Sequence, residues 1–245
     1  MTSPHSNYDS YCEQINLVLE RFQITQKKAL EDAAEKIVEA FVAKKRFLVF
    51  GTGHSHMVAE EFYARAGGLV YVTPVLQNEL TLTDHPMKST LIERTQAMAN
   101  VYFDLYHFEA GDVLLLASNS GRNSMPIELA KLAKEAGLTV IVFVNVEQTK
   151  HIQSRHPSGK NLDAYADILI DNCGAYGDAG FDIGDGLMMG GSSTIIGSFM
   201  AQSLSILIAT KIKNLGLDIP VFRSSNLDGA DEYNKQLMNQ YCKTF

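Results

Sequence analysis

Hydrophobic and polar positions alternate along this chain in two rhythms. From Tyr8 to about Lys44 the apolar residues Ile15, Val18, Leu19, Phe22, Ala29, Leu30, Ala33, Ile37, Val38 and Phe41 recur at steps of three and four. No Gly or Pro interrupts them, so the pattern predicts one long helix. Such a helix either packs outside its own subunit or lies along it. The rhythm then changes to short apolar runs. Residues 46–51, 68–76, 112–118 and 138–145 read as buried strands, and 164–172 contains a fifth. Helical patterns follow the first strand through about Arg65, then cover 124–136 and 193–214, and a short C-terminal helix starts near Gly229. Short apolar strands alternating with helices predict an α/β domain, a doubly wound parallel sheet of five strands over about residues 40–215. Residues 216–245 form an extension.

Composition narrows the function classes. The 245 residues are 46% hydrophobic and 20% charged, with a formal net charge of −7. That balance argues against a general nucleic-acid binder, which needs clustered Lys and Arg. A small phosphorylated ligand needs only a local nest of donors and stays open. Cys12, Cys173 and Cys242 form no CxxC pair and no zinc-type spacing, which suits reduced thiols in a cytoplasmic protein. The N-terminal MTSPHSNYDS lacks the basic-then-apolar pattern of a signal peptide, and no apolar stretch is expected to span a membrane.

In a doubly wound sheet, ligands sit beyond the carboxyl ends of the strands, so chemistry is expected there. After the first strand comes GTGHSHMVAEEF (51–62). Its glycines, Gly53 among them, allow a tight turn, and Ser55 stands at a helix start. It is neither a dinucleotide fingerprint nor a P-loop, lacking the third glycine and the Gly-Lys-Ser/Thr; a plain strand-to-helix turn is the other reading. After the third strand comes SNSGRNS (118–124). Gly121 permits a turn and Pro126 sits in the first turn of the next helix. Ser118, Asn119, Ser120, Asn123 and Ser124 supply neutral donors beside a helix N-terminus. Helix capping explains one of these residues, not the set. A third glycine- and hydroxyl-rich element, GLMMGGSSTIIGSF (186–199), brings Ser193 and Thr194 to a helix start.

The loops GTGHS, SNSGRNS and SST together resemble those of the sugar isomerase (SIS) domain family, over about Asn16–Asn214. Within it, GHSHMVAEEFYARAGG, SNSGRNSMPIELA, GAYGDA and SNLDGADEYN resemble a group of bacterial proteins built of a single such domain. The resemblance implies a flavodoxin-like fold and a phosphorylated sugar or amino sugar as ligand. The expected function is binding such a sugar and its aldose–ketose isomerisation; the alternatives are a phosphosugar-sensing module or an amino-sugar-phosphate lyase or etherase. It also implies a homodimer or higher oligomer, since family members commonly complete their sites across subunits. Two departures matter. Asn123 stands where the family's phosphate loop usually has Thr, and still offers a donor. Arg65 stands ten residues after Ser55, where related isomerases and etherases keep a catalytic glutamate.

Glu61 lies one helical turn before position 65 on the same face and is the expected replacement base, while Glu60 points about 100° away; a solvated or salt-bridged surface carboxylate is the other reading for both. His54 and His56 flank Ser55, and His56 or His85 is the expected acid/base partner. The segment 77–98, with Glu79, Asp84, His85, Glu93 and Arg94, is too long for a simple turn and is expected to cover the ligand or serve a neighbouring subunit; where Glu61 is not the base, His85 or Glu93 is the next candidate. In GAYGDAGFDIGDG (174–186), Asp178 and Asp182 could hold sugar hydroxyls. The spacing does not fit an EF-hand, and neither a metal nor a cofactor is expected.

Overall fold

The computed structural model describes residues 7–83, 85 and 87–242; Asp84 and the first six residues, on which part of the leader reading falls, lie outside the described residues. Helix α1 (Asn7–Val42) buries a stripe of Phe22, Leu30, Ala33, Ala34, Ile37 and Val38. The strands are β1 (Phe47–Gly51), β2 (Val72–Val75), β3 (Val113–Ala117), β4 (Thr139–Val144) and β5 (Ile168–Asp171). They form one parallel sheet in the order β2-β1-β3-β4-β5, so the α/β reading with five parallel strands holds. The register sets Phe47 against both Val72 and Val113.

Alternation along each strand divides the core in two. Phe47, Val49, Val113, Leu115 and Ile141 face α1, helix α2 (His56–Phe62) and helix α7 (Ser193–Asn214). Leu48, Phe50, Leu114, Leu116 and Val142 face the other side. There they meet helix α4 (Met98–Leu105) and helix α5 (Ser124–Glu135). Strands β1 to β4 are buried on both faces, which is why they read as continuous apolar runs, whereas the edge strand β5 buries only Ile170 fully. Helix α7 is long and apolar enough by composition to cross a membrane. Here it packs between α1 and α2, with Ile196, Met200, Leu204, Ile208 and Ile212 fully buried.

Four details differ from the sequence reading. Helix α2 ends at Phe62, because Tyr63 is extended and Ala64 takes φ +49. Arg65 is therefore not on the helix that carries Glu61. The expected strand 68–76 shrinks to β2. Its first residues pair with the C-terminal extension instead: Val70 N donates to Pro220 O at 2.8 Å, and Phe222 N to Gly68 O at 3.0 Å. The extension then continues as helix α8 (Ala230–Tyr241). The segment 77–98, in which no element was expected, contains helix α3 (Lys88–Glu93). Finally, the glycine-rich 174–191 region is an antiparallel hairpin, β6 (Ala179–Asp182) with β7 (Met188–Gly191). Helix α6 (Val146–His151) leads into the loop before β5.

Candidate functional site

The strand order changes direction at β1, with β2 on one side and β3 on the other. In such a sheet the crevice beyond the carboxyl ends of these central strands is the ligand position. A cavity of about 500 Å³ opens there, walled by the loops after β1 and β3, by α3 and by the start of α7.

The first loop is built by glycine. A side chain at Gly51 would come within 2.2 Å of Ser55 O, and Gly53 takes φ +55. The chain can therefore fold back so that Thr52, Gly53, His54 and Ser55 all reach the cavity wall. In the second loop, Gly121 takes φ +60 and its N–H donates to Ser118 Oγ at 3.2 Å. Asn119 is braced by Asn172, whose Nδ2 donates to its Oδ1 at 2.6 Å. Ser118, Asn119, Ser120 and Asn123 line the cavity. Ser124 does not: its hydroxyl donates to Arg155 O at 2.6 Å, behind the wall. At the third element, Asp178 accepts from Ser192 N (3.1 Å), Ser193 N (2.8 Å) and Ser193 Oγ (2.7 Å). The α7 terminus is thus capped by the chain's own carboxylate. Thr194 lies in a narrow adjoining recess with His54, Ser55, Asn119 and Asn172.

The expected catalytic residues lie elsewhere. Glu61 Oε1 is ion-paired with Arg65 and accepts from Gln202 Nε2 at 2.7 Å, outside the cavity wall. His56 is buried; its Nδ1 is bonded to Gly53 O and its Nε2 lies 3.4 Å from Glu60 Oε1. It holds the start of α2. His85 is exposed and accepts from Met87 N at 3.1 Å, also outside the wall. Asp182 belongs to the hairpin turn, accepting from Gly184 N at 2.8 Å.

A different carboxylate faces the cavity. Glu93, the last residue of α3, accepts from Thr52 Oγ1 at 2.5 Å on one oxygen and from Asn123 Nδ2 at 2.7 Å on the other. Burial pushes its pKa up, while the Thr52 hydrogen bond and the charges of Arg94 and Arg155 pull it partly back. Sequence reading held Glu93 of the insertion, with His85, only as the next candidate base after Glu61. Helical periodicity gave no signal for it, since α3 is a six-residue helix. Thr52 and Arg155 were missed; for Thr52 a signal existed, its position directly after the first strand.

A cavity of about 550 Å³ lies at the opposite end of the sheet, beside Arg46 and Asp112. Its buried Asp112 is neutralised by Arg46, Nη2 to Oδ2 2.5 Å, and it lies at the amino ends of β1 and β3, away from the strand-end loops. The polar cavity at the β1–β3 crevice is the functional candidate.

Residues 10–145 match the model of the SIS domain. A UPF0309 protein of Halalkalibacterium halodurans is 42% identical over 239 residues, covering 97% of this chain and 99% of its own. One from Caldanaerobacter subterraneus subsp. tengcongensis is 38% identical, covering 96% and 97%. Among solved structures, a phosphoheptose isomerase from Francisella tularensis has a TM-score of 0.51 at 18% identity, covering 86% of this chain and all of its own. The phosphoheptose isomerase GmhA from Neisseria gonorrhoeae has a TM-score of 0.53 at 17% identity, covering 82% and 96%. At such identities these two bear on the fold alone. The family model covers more than half of the chain and the UPF0309 relatives nearly all of it: the chain belongs to the SIS domain family.

Proposed function

We propose that the β1–β3 cavity binds a phosphorylated sugar or amino sugar and that Glu93 moves a proton between C1 and C2, as an aldose–ketose isomerase requires. The observation that carries this reading is the double hydrogen bond on Glu93. Thr52 from the first loop and Asn123 from the phosphate-type loop hold the carboxylate, so it is fixed on the wall where neutral donors converge. Ser118, Ser120 and Asn119 with Ser55 offer donors for phosphate without a permanent ion pair, which suits a ligand that must leave. His54, exposed on the same wall, is placed to support ring opening or carbonyl polarisation. Thr52 and Arg155 orient and charge Glu93 rather than meet the sugar. This moves the base from Glu61 to Glu93, because Glu61 is tied to Arg65 and Gln202 away from the cavity.

That same tie supports a second reading, a phosphosugar sensor that dispenses with catalysis. Incubation with a panel of sugar and amino-sugar phosphates, followed by NMR, separates the two. New products define an isomerase or a lyase, and saturable binding without products defines a sensor. In either case Ser118→Ala with Ser120→Ala should weaken phosphosugar binding by about 1–3 kcal/mol, the range of lost charged hydrogen bonds. Unchanged affinity in calorimetry removes the phosphate loop from the proposal.

We also propose a homodimer or larger assembly. Leu17 and Ile24, two turns apart on α1, are 64% and 72% exposed, and Leu187 and Met189 of the hairpin region 61% and 57%. Tyr11 of α1 packs edge-on against Phe181, so the start of α1 and the hairpin are in contact. Light scattering at micromolar concentration should give at least twice the 27.0 kDa chain mass; a monomer mass rejects it.

A further inference from the structure

Behind Asn123 stands a residue that neither the loop motifs nor the cavity wall reveals. Arg155 lies in the loop between α6 and β5, and its Nη1 donates to Asn123 Oδ1 at 2.6 Å. A guanidinium can only donate, so it fixes the Asn123 amide with its oxygen outward and its NH2 toward Glu93. We propose that Arg155 is a positioning residue for Glu93, selecting through the Asn123 amide the ionised, proton-accepting form of that carboxylate.

The orientation of the Asn123 amide decides which form of Glu93 it can meet. With the NH2 group facing it at 2.7 Å, Glu93 meets a donor, which favours the carboxylate. Were the amide reversed, Glu93 would meet a carbonyl oxygen and would have to carry a proton to bond with it. Arg155 removes that alternative. Its positive charge acts in the same direction, against the burial that pushes the Glu93 pKa up. Arg94 is the other cation acting on Glu93, and Thr52 supplies the second donor; His54 and Asp178 are the remaining ionisable groups on the cavity wall.

The loop does not depend on the guanidinium to stay in place. Arg155 N donates to Arg122 O at 2.8 Å, and Arg155 O accepts from Ser124 Oγ. The next residue, His156, is buried with its Nε2 2.6 Å from Glu128 Oε2 on α5. These bonds involve backbone or neighbouring side chains, so Arg155→Ala removes the charge and the amide clamp while leaving the loop anchored.

The proposal rests on reading Glu93 as the base, yet it can be tested without any substrate. The Glu93 carboxyl carbon is followed by ¹³C NMR across pH in the wild type, in Arg155→Ala and in Arg155→Lys. The Ala variant should titrate at higher pH than the wild type. The Lys variant, which keeps a charged donor, should return toward the wild-type value. A structural role alone would lower the melting temperature of the Ala variant without moving this midpoint. An unmoved midpoint in Arg155→Ala overturns the proposal even if Glu93→Gln has been shown to stop turnover. A raised midpoint with turnover intact in Glu93→Gln sustains the Arg155 relay and rejects Glu93 as the base.

Discussion

Glu93→Gln should lower turnover by about 10²–10⁴-fold, the usual worth of a positioned general base, while phosphosugar affinity stays within a few-fold. The substitution fits its surroundings. Glutamine can turn its carbonyl oxygen to the Asn123 NH2 and its own NH2 to Thr52, whose hydroxyl can accept as readily as donate. The cavity therefore keeps its shape and loses only the proton acceptor. A fall in turnover with affinity retained is the mark of a group that matters mainly in the transition state. Steady-state rates on whichever panel sugar turns over, paired with calorimetry, measure both quantities. Full activity in Glu93→Gln places the base elsewhere.

The pH profile gives the same prediction a sign. A base must be ionised, and burial of Glu93 raises its pKa above the ordinary carboxylate value despite Thr52, Arg94 and Arg155. Turnover should then fall as pH drops through a midpoint higher than that of an ordinary glutamate, and this limb should move further up in Arg155→Ala.

The difference between Glu61 and Glu93 shows what the sequence could and could not reveal. Strands β1 to β4 were legible because double burial makes them apolar runs, while the partly exposed edge strand β5 showed only as a short apolar core within 164–172. The loops after β1 and β3 followed, because their glycines and hydroxyls sit where a doubly wound sheet puts its ligands. Glu61 was inferred by carrying helical spacing through to position 65. That spacing stops at Tyr63, whose extended backbone ends α2. Glu93 and Arg155 arrive from a short helix and a loop, through contacts 30 to 41 residues away in sequence. No local period records such contacts. The hairpin β6–β7 was hidden for another reason: Gly184, Asp185 and Gly186 all take positive φ, so the turn is built from residues that read as plain loop.

Gly121→Ala should damage both stability and ligand binding, through two separable effects. The φ of +60 costs any L-residue about 1–2 kcal/mol. An added Cβ would also stand 2.8 Å from Val144 Cγ2 and 3.2 Å from Thr149 Cγ2, and such overpacking typically costs about 1–3 kcal/mol. Neither neighbour has room to yield, since Val144 closes β4 in the core and Thr149 is bonded to Val146 O at 3.0 Å. The expected loss is thus about 2–5 kcal/mol in urea denaturation, from the sum of these terms. Gly159 provides the comparison: its φ is +71 but nothing lies within 4 Å of an added Cβ. Gly159→Ala should cost only the backbone part. The two variants should differ more sharply in binding. Moving residue 121 outward displaces the N–H that holds Ser118 Oγ and shifts Ser120 beside it, so Gly121→Ala should lose phosphosugar affinity at least ~10-fold, as the loss of one charge-assisted hydrogen bond or more implies. Gly159→Ala should keep it. Equal stability and equal affinity in the two variants would mean that the close approach of Gly121 to β4 does not shape the phosphate loop.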